Sequence, residues 1–527
     1  MANFVAKFVS KFWSGQAWAW HFPSPPFATD NLRRSSGASR VKNLPVQERA
    51  VQNMAAPELG GEGEQSAFDL CRLLEAREMD RYDLYGRHLN DMMVRVLQTI
   101  GYDVGFRVGH GQYLFDRKGD RYLDLLSGWG VFGIGRNHPV LRDALKSVLA
   151  ADLPNLVQMD VSVLAGLLAE RLLSFVPYLD KVFFANSGTE AVEAAIKFAR
   201  CATGRPGIVY CDHAFHGLSY GSLSLNGDPT FRDGFGPLLP GCAEVPFNDL
   251  AALEQALASR EVAGFIVEPI QGKTVEVADD LYLRGAQALC RKYGTLFIAD
   301  EIQTGLGRTG KFFAIEHYGV EPDMVLVAKA LSGGHVPIGA ILMRKPIFDK
   351  VFSRMDRAVV HGSTFAKNDL AMAAGLATLE VIQSERLVQN AARTGARLIA
   401  SLERLAERYE LVKSVRGKGL MIGIEFGPPR SLKLKAAWTL LETVKAGLFC
   451  QLITIPLFKD HKILVQVAGN GNHVVKLLPA LVINDTDCEW IERAFESVIA
   501  DSHQVPGAVW SFGKTMTENL RKTAIGR

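Results

Sequence analysis

Apolar and polar positions follow three successive regimes along the chain. Near the start, Phe4, Val5, Phe8, Val9, Phe12 and Trp13 recur at helical spacing, with Lys7 and Lys11 on the other side. A Pro/Ser-rich and then Gly/Glu-rich stretch follows (FPSPPFATDN, RRSSGAS, APELGGEGEQ), which has the composition of a flexible linker. From about Ser66 the pattern predicts a long helical stretch through Leu70, Leu73, Leu74, Leu84, Leu89, Met92, Met93, Val96 and Leu97. QYLFD and RYLDLL predict two strands joined by the turn Arg117-Lys118-Gly119-Asp120.

Short apolar runs then alternate with helical patterns: VFFA (182–185), GIVY (207–210), GFIV (264–267), TLFIA (295–299) and MVLVA (324–328). Alternation of this kind predicts an α/β domain with a largely parallel sheet covered by helices on both faces. After about Ser384 come two amphipathic helices, one glycine-punctuated strand (VRGKGLMIGIEF, 415–426), another helix and a strand-helix unit ending near Asp501. That content predicts a smaller α+β domain. The expected division is a basic extension over 1–65, a segment over 66–128 that joins the small domain, a large α/β domain over 129–384, a small α+β domain over 385–503 and a tail over 504–527.

Composition adds little to this picture. The chain has 527 residues, more than one hydrophobic core usually serves, with 48% hydrophobic and 22% charged residues and a net charge of +3. So small a charge gives no ground for a nucleic-acid partner. Seven cysteines (Cys71, Cys201, Cys211, Cys242, Cys290, Cys450, Cys488) are scattered without a CxxC pair or a metal-ligand cluster. They read as reduced thiols in a cytoplasmic protein without a bound metal. The first 45 residues hold six Lys or Arg and one acid, Asp30. Such a start suits a transit peptide, weak membrane contact or an extension without a role.

Ligands of open α/β sheets bind at the carboxyl ends of the strands, so the residues after each apolar run are the candidates for chemistry. VFFA runs into Asn186-Ser187-Gly188-Thr189 at the start of a helix whose Ala191, Ala194, Ala195 and Phe198 share a face. Free N–H groups there, with the hydroxyls of Ser187 and Thr189, suit a phosphate; Ser187 with Glu190 suits an ordinary capping box equally well. Asp300 follows TLFIA, where a buried carboxylate needs a cationic partner, and Gln303 comes three residues later. Lys329 ends MVLVA before Ser332-Gly333-Gly334. A lysine in an apolar setting has a depressed pKa and a nucleophilic amine, unless it snorkels outward. Glu268 follows GFIV, and HAFHGLSYGS places Phe215 and His216 between these strands: an aromatic to stack on a flat ring and a turn, or plain core packing. A phosphate cup, an aromatic, acids and a lysine in this order fit one pyridoxal phosphate.

The motifs NSGTEA, FHG, EPIQG, DEIQTGLGRTG, AKALSGGHVPIGA and HGSTFAKNDLA, in this order, closely resemble the class III aminotransferases of fold type I over about Tyr102 to Ile499. The group contains acetylornithine, ornithine and 4-aminobutyrate aminotransferases. The resemblance implies a large domain with a mostly parallel, seven-stranded sheet and a smaller α+β domain built from N- and C-terminal segments. It implies pyridoxal 5'-phosphate on Lys329, with Asp300 facing the ring nitrogen, Gln303 near the phenolic oxygen and Ser187, Gly188 and Thr189 at the phosphate. Phe215 would stack on the ring, with His216 and Glu268 beside it. Thr364 would reach the phosphate from a neighbouring subunit, which makes a homodimer with shared sites. A small-molecule amino donor and a carbonyl acceptor would react in a ping-pong cycle.

Trp129 stands where the family places a substrate-facing residue, or else packs in the core beside Phe132. Lys273 stands where ornithine-type members carry an acid after EPIQG, and Lys476 where they carry the arginine that grips an α-carboxylate. These departures take the resemblance away from glutamate-type donors. The alternatives within the fold are a decarboxylase, an aminomutase or a membrane-associated aminotransferase acting on an amphiphilic, hopanoid-type carbonyl. The last rests on the segment YDLYGRHLN…LQTIGYD…LSGWGVFGIGRNHP, which is similar to bacterial enzymes of that sort.

Overall fold

The computed structural model describes residues 68–444 and 446–504. The amphipathic start and the linker expected over 1–65 lie outside the described residues, as does the tail from 505 onward. The described residues fall into two units, one up to Val94 and one from Arg95 onward. In the first, the long helix expected from Ser66 is broken. Leu70–Arg77 is capped by Asp69, whose side chain accepts from the Arg72 N–H. A single 3-10 turn over Glu78–Asp80 then changes direction before Arg81–His88. Asn90, whose Oδ1 accepts from the Met93 N–H at 3.0 Å, starts the next helix, so a cap interrupts what apolar spacing alone would have joined.

The second unit is organised by a seven-stranded sheet. Its strands are β4 (Lys181–Ala185), β5 (Gly207–Cys211), β6 (Cys242–Val245), β7 (Val262–Val267), β8 (Leu296–Asp300), β9 (Met324–Val327) and β10 (Gly339–Met343). Their spatial order is β4-β10-β9-β8-β7-β5-β6. All ladders are parallel except those of β10, which runs antiparallel to both β4 and β9. The strands are apolar on both faces because both faces are covered. Val325 and Val327 of β9 join one core cluster, and Met324 and Leu326 the other. The same alternation places Phe297 and Ala299 on one side of β8 and Ile298 on the other. Helix Gly188–Thr203 buries the face expected for it, including Ala191, Ala194, Ala195 and Phe198, and ends at Gly204 in the left-handed region.

Three earlier strands, β1 (Phe106–His110), β2 (Tyr113–Asp116) and β3 (Arg121–Asp124), form an antiparallel meander. A late strand, β13 (Ile463–Leu464), adds to β3 in parallel and ties the N- and C-terminal segments together. The segment 415–426, expected as one strand, is a hairpin of β11 (Val412–Lys418) and β12 (Met421–Phe426). Gly419, at φ +54, takes the first place of its two-residue turn, where a side chain would be strained. With β14 (Gln466–Ala468) and β15 (Val474–Leu477) the hairpin makes a second small sheet, ordered β11-β12-β15-β14. Among the described residues no single helix is long and apolar enough to cross a membrane.

Candidate active site

Because only β10 is reversed, β4, β5, β7, β8 and β9 all deliver their carboxyl ends to one edge of the large sheet. Lys329 stands two residues beyond β9, in a backbone bent to φ +41. A lysine there costs about 1–3 kcal/mol in conformational strain. The loop beyond it turns through Gly333 (φ +60) and Gly334 (φ +92), and a Cβ on Gly334 would lie 2.4 Å from the Phe132 ring. Phe132 thus presses directly on the loop that holds the lysine. Burial lowers the Lys329 pKa, and the charges of Asp300 and Glu268 oppose this without cancelling it. Its amine is therefore more readily unprotonated than an ordinary lysine's.

Asp300, the last residue of β8, is 3% exposed. Its Oδ1 accepts from the Ile302 N–H at 3.0 Å, and its Oδ2 lies 2.7 Å from the His216 Nδ1. His216 is buried, and its Nε2 has no partner. Burial alone would lower the His216 pKa; the hydrogen bond and charge of Asp300 outweigh it and hold the ring above its ordinary value. His216, expected beside the ring, backs the Asp300 carboxylate, a pairing across 84 positions that local spacing does not reveal.

Glu268 follows β7 and is held by two backbone donors, the N–H of Phe215 at 3.1 Å and of Gly272 at 2.7 Å. Burial raises its pKa, the charge of His216 lowers it and Asp300 raises it again, for a net rise. Phe215 is half-buried and packs edge-on against Phe231, with centroids 5.4 Å apart. The Gln303 amide satisfies its neighbours with its nitrogen toward the Gly272 carbonyl at 3.1 Å and its oxygen toward the Lys329 Nζ at 3.2 Å. The carbonyl of Trp129 lies 3.4 Å from the same amide. Trp129 itself has φ +60 and is 60% exposed, which removes core packing as its role.

At the end of β4, Ser187 caps the helix, its Oγ accepting from the Glu190 N–H at 3.2 Å. Glu190 returns a bond from the Asn186 N–H at 2.6 Å, one residue before the position a strict capping box requires. Capping and an anion cup coexist here, because the N–H groups of Gly188 and Thr189 lie in the first turn, ahead of any helical carbonyl partner. The Thr189 hydroxyl, expected at a phosphate, is engaged elsewhere: it lies 2.6 Å from the hydroxyls of both Ser219 and Ser222. Behind them Glu193 accepts from the Ser219 hydroxyl at 2.6 Å and the Gly221 N–H at 2.7 Å. This cluster escaped the sequence reading, although Glu193 stands one helical turn after Thr189 and shares its face.

The two lysines that depart from the family differ in placement. Lys476, in β15, is 4% exposed and donates to the Gly272 carbonyl at 2.5 Å. Burial, then the charge of Lys329, push its pKa down to about 7. Lys273 forms an ion pair with Asp228, and its Nζ lies 5.3 Å from the Phe231 centroid. Thr364 is exposed in a loop whose preceding residue, Ser363, accepts from the Asn186 side chain at 2.6 Å. That loop lines a cavity of about 1500 Å³ with Leu153, Val161, Phe184 and Met355.

Lys329, Asp300, Gln303 and Glu268 therefore gather at one edge of the large sheet, with Lys476 of β15 beside them and His216 behind Asp300. The residues fit pyridoxal phosphate: a desolvated amine for its aldehyde, a braced carboxylate for its ring nitrogen, and a glycine-led helix start for its phosphate. Gly188 leaves room at that start, since a Cβ there would lie 3.0 Å from the Ile302 side chain.

Residues 102–499 match the family described as Aminotransferase class-III. The aminotransferase PigE of Serratia sp. is 38% identical over 456 residues, 80% of this chain and 53% of that protein, so the match spans about half the length of PigE. An acetylornithine aminotransferase of Bacillus cereus is 37% identical across 77% of this chain and 98% of its own. A putrescine aminotransferase of Pectobacterium atrosepticum is 42% identical across 62% of this chain and 72% of its own. Among solved structures, the ornithine aminotransferase of Toxoplasma gondii superposes with a TM-score of 0.71, at 29% identity, covering 81% of this chain and 96% of that one. An amine transaminase from an uncultivated Pseudomonas species, in a form with bound cofactor, gives 0.68 at 28% identity, covering 75% and 94%.

Proposed function

Since the chain belongs to the class III aminotransferases, and is thus an enzyme that transfers amino groups with pyridoxal phosphate, we propose that Lys329 is the lysine that carries the cofactor. When bound, pyridoxal phosphate supplies an aldehyde that condenses with amines and a protonated ring that draws electrons from the carbon bearing nitrogen. The chain's own residues do the rest. The lowered pKa of Lys329 keeps more of its amine available as nucleophile, and the same Nζ would serve to take and return a substrate proton. Asp300 would hold a proton on the ring nitrogen of the cofactor, and His216 fixes the carboxylate placed to do so. Gln303 orients the amine through its side-chain oxygen and would be the residue to meet the phenolic oxygen of a bound cofactor. Ser187 and the N–H groups of Gly188 and Thr189 would hold the phosphate, with Phe215 against the ring and Glu268 beside it.

The observation that carries this reading is the convergence of a desolvated lysine, a braced aspartate and Gln303 at one sheet edge. Lys329→Ala is expected to abolish turnover, by at least about 10⁴-fold, together with the visible absorbance of the lysine–cofactor linkage. A variant that kept both would overturn it.

The working form in this reading is a homodimer in which Thr364 of one subunit reaches the phosphate of the other. The exposed apolar side chains of Met159, Val161, Val163, Met355, Val359 and Phe365 support a covered face. Seven free cysteines support a cytoplasmic setting. A small-molecule amine and a carbonyl acceptor react in turn, in a ping-pong cycle.

A further inference from the structure

Resting on the assignment of Lys329, we propose that Arg136 is a positioning residue for that lysine, acting through Phe132 on the loop that carries it. The left-handed backbone of Lys329 persists only where its surroundings impose it. Three consecutive residues, Phe132, Gly133 and Ile134, lie against the 3-10 turn Lys329–Ser332 and the glycines that end it. A Cβ on Gly334 would lie 2.4 Å from the Phe132 ring, one on Gly133 3.1 Å from the Ala330 Cβ, and one on Gly333 2.9 Å from the Ile134 side chain. Ala330 adjoins the lysine in sequence, so a shift of this wall reaches Lys329 through a single peptide.

The wall belongs to a loop that runs from Asp124, the last residue of β3, to Arg136. It turns through four consecutive left-handed residues, Ser127 (φ 48), Gly128 (φ 61), Trp129 (φ 60) and Gly130 (φ 85). Asp124 ties its two ends. The Oδ1 accepts from the N–H groups of Leu126 at 3.0 Å and Ser127 at 2.8 Å, and the Oδ2 from the Arg136 Nε at 3.2 Å and Nη2 at 2.7 Å. The carboxylate is buried, whereas Phe132 is only half-buried, so packing alone does not pin the ring. The guanidinium supplies the missing contact, its carbon standing 3.9 Å from the ring centroid. A Cβ on Gly128 would lie 3.1 Å from the ring edge opposite Gly334, so the ring is held at two edges and across its plane. A planar guanidinium can give two N–H groups to a carboxylate while it lies over a ring; a lysine ammonium offers only a point charge.

The test strips the cofactor from the full-length protein and returns it in two forms. Pyridoxal phosphate becomes linked to the lysine: Nζ bonds to the aldehyde carbon and the aldehyde oxygen leaves as water. Pyridoxamine phosphate has no aldehyde and reports the phosphate and ring contacts alone. Arg136→Met is expected to slow growth of the visible linkage band by about 10-fold or more, and to keep the Kd of pyridoxamine phosphate within about twofold of wild type. Arg136→Lys should give an intermediate rate. Phe132→Leu should slow the band as Arg136→Met does, and the double variant should be no slower than the worse single one, because the two side chains act in series. A wild-type rate in Arg136→Met, equal weakening of both cofactor forms, or effects that multiply in the double variant overturns the inference and leaves the Lys329 assignment standing. A band that survives Lys329→Ala overturns that assignment and the inference with it. Should Arg136→Met not fold, Phe132→Leu decides by the same two measurements.

Discussion

Around Asp300 the ionisable side chains answer one another, whereas around Lys476 they answer the backbone. His216 and Asp300 meet at 2.7 Å, and Glu268 is held by two N–H donors. Lys476 and Arg308 are held mainly by carbonyls of Gly272, Pro479 and Leu420. A buried charge that faces another charge keeps a defined protonation state. One that faces only carbonyls is anchored in position by them. The first region is built to hold a reacting group in one electrostatic state, the second to present a wall.

The contrast breaks most visibly at Asp300. Asp300→Ala should lower kcat by about 10³-fold or more while leaving the visible lysine–cofactor absorbance, seen by steady-state kinetics and a spectrum of the same sample. Next comes His216→Ala, expected to lower kcat by roughly 10–100-fold and to shift the pH at which the holoenzyme spectrum titrates. A residue that only filled space would lower the Tm and leave that titration alone.

On the other wall, Lys476→Met tests a stability effect with a definite sign. The Lys476 pKa falls from 10.5 to about 7 on folding, so between those values the unfolded chain binds more protons and stability rises with pH. Melting curves should show the variant more stable by on the order of a few kcal/mol below pH 7, the gain vanishing toward pH 10.5. A pH-independent difference would mean the amine is not desolvated. Smallest of all, Trp129→Ala should raise KM a few-fold with less effect on kcat, since the indole is 60% exposed and only its carbonyl approaches Gln303.

The parallel strands were legible because each is a short apolar run with covered faces; VFFA, GIVY, GFIV, TLFIA and MVLVA fall within two residues of the bounds of β4, β5, β7, β8 and β9. Two strands of the same sheet were not. CAEV lies at the edge, with Ala243 and Glu244 exposed, and lacks an apolar run. GAILM follows so closely on the Ser332–Gly334 turn that its five buried residues read as part of that loop. At the site, strand-end residues were found because position along a strand is local information. The His216–Asp300 contact and the Thr189, Ser219, Ser222 and Glu193 cluster depend on how loops fold back, and that is set by tertiary packing.

The reversal of β10 reaches beyond topology. Running against its neighbours, it brings its first residue, rather than its last, to the catalytic edge, where Gly339 pairs with Ala185. A Cβ on Gly339 would sit 2.3 Å from the Ser187 carbonyl oxygen. One missing methyl group on a strand that supplies no ligand thereby fixes the depth at which the anion-binding turn rests. In the proposed reading, the height at which a phosphate would rest is set by a residue that supplies no donor to it.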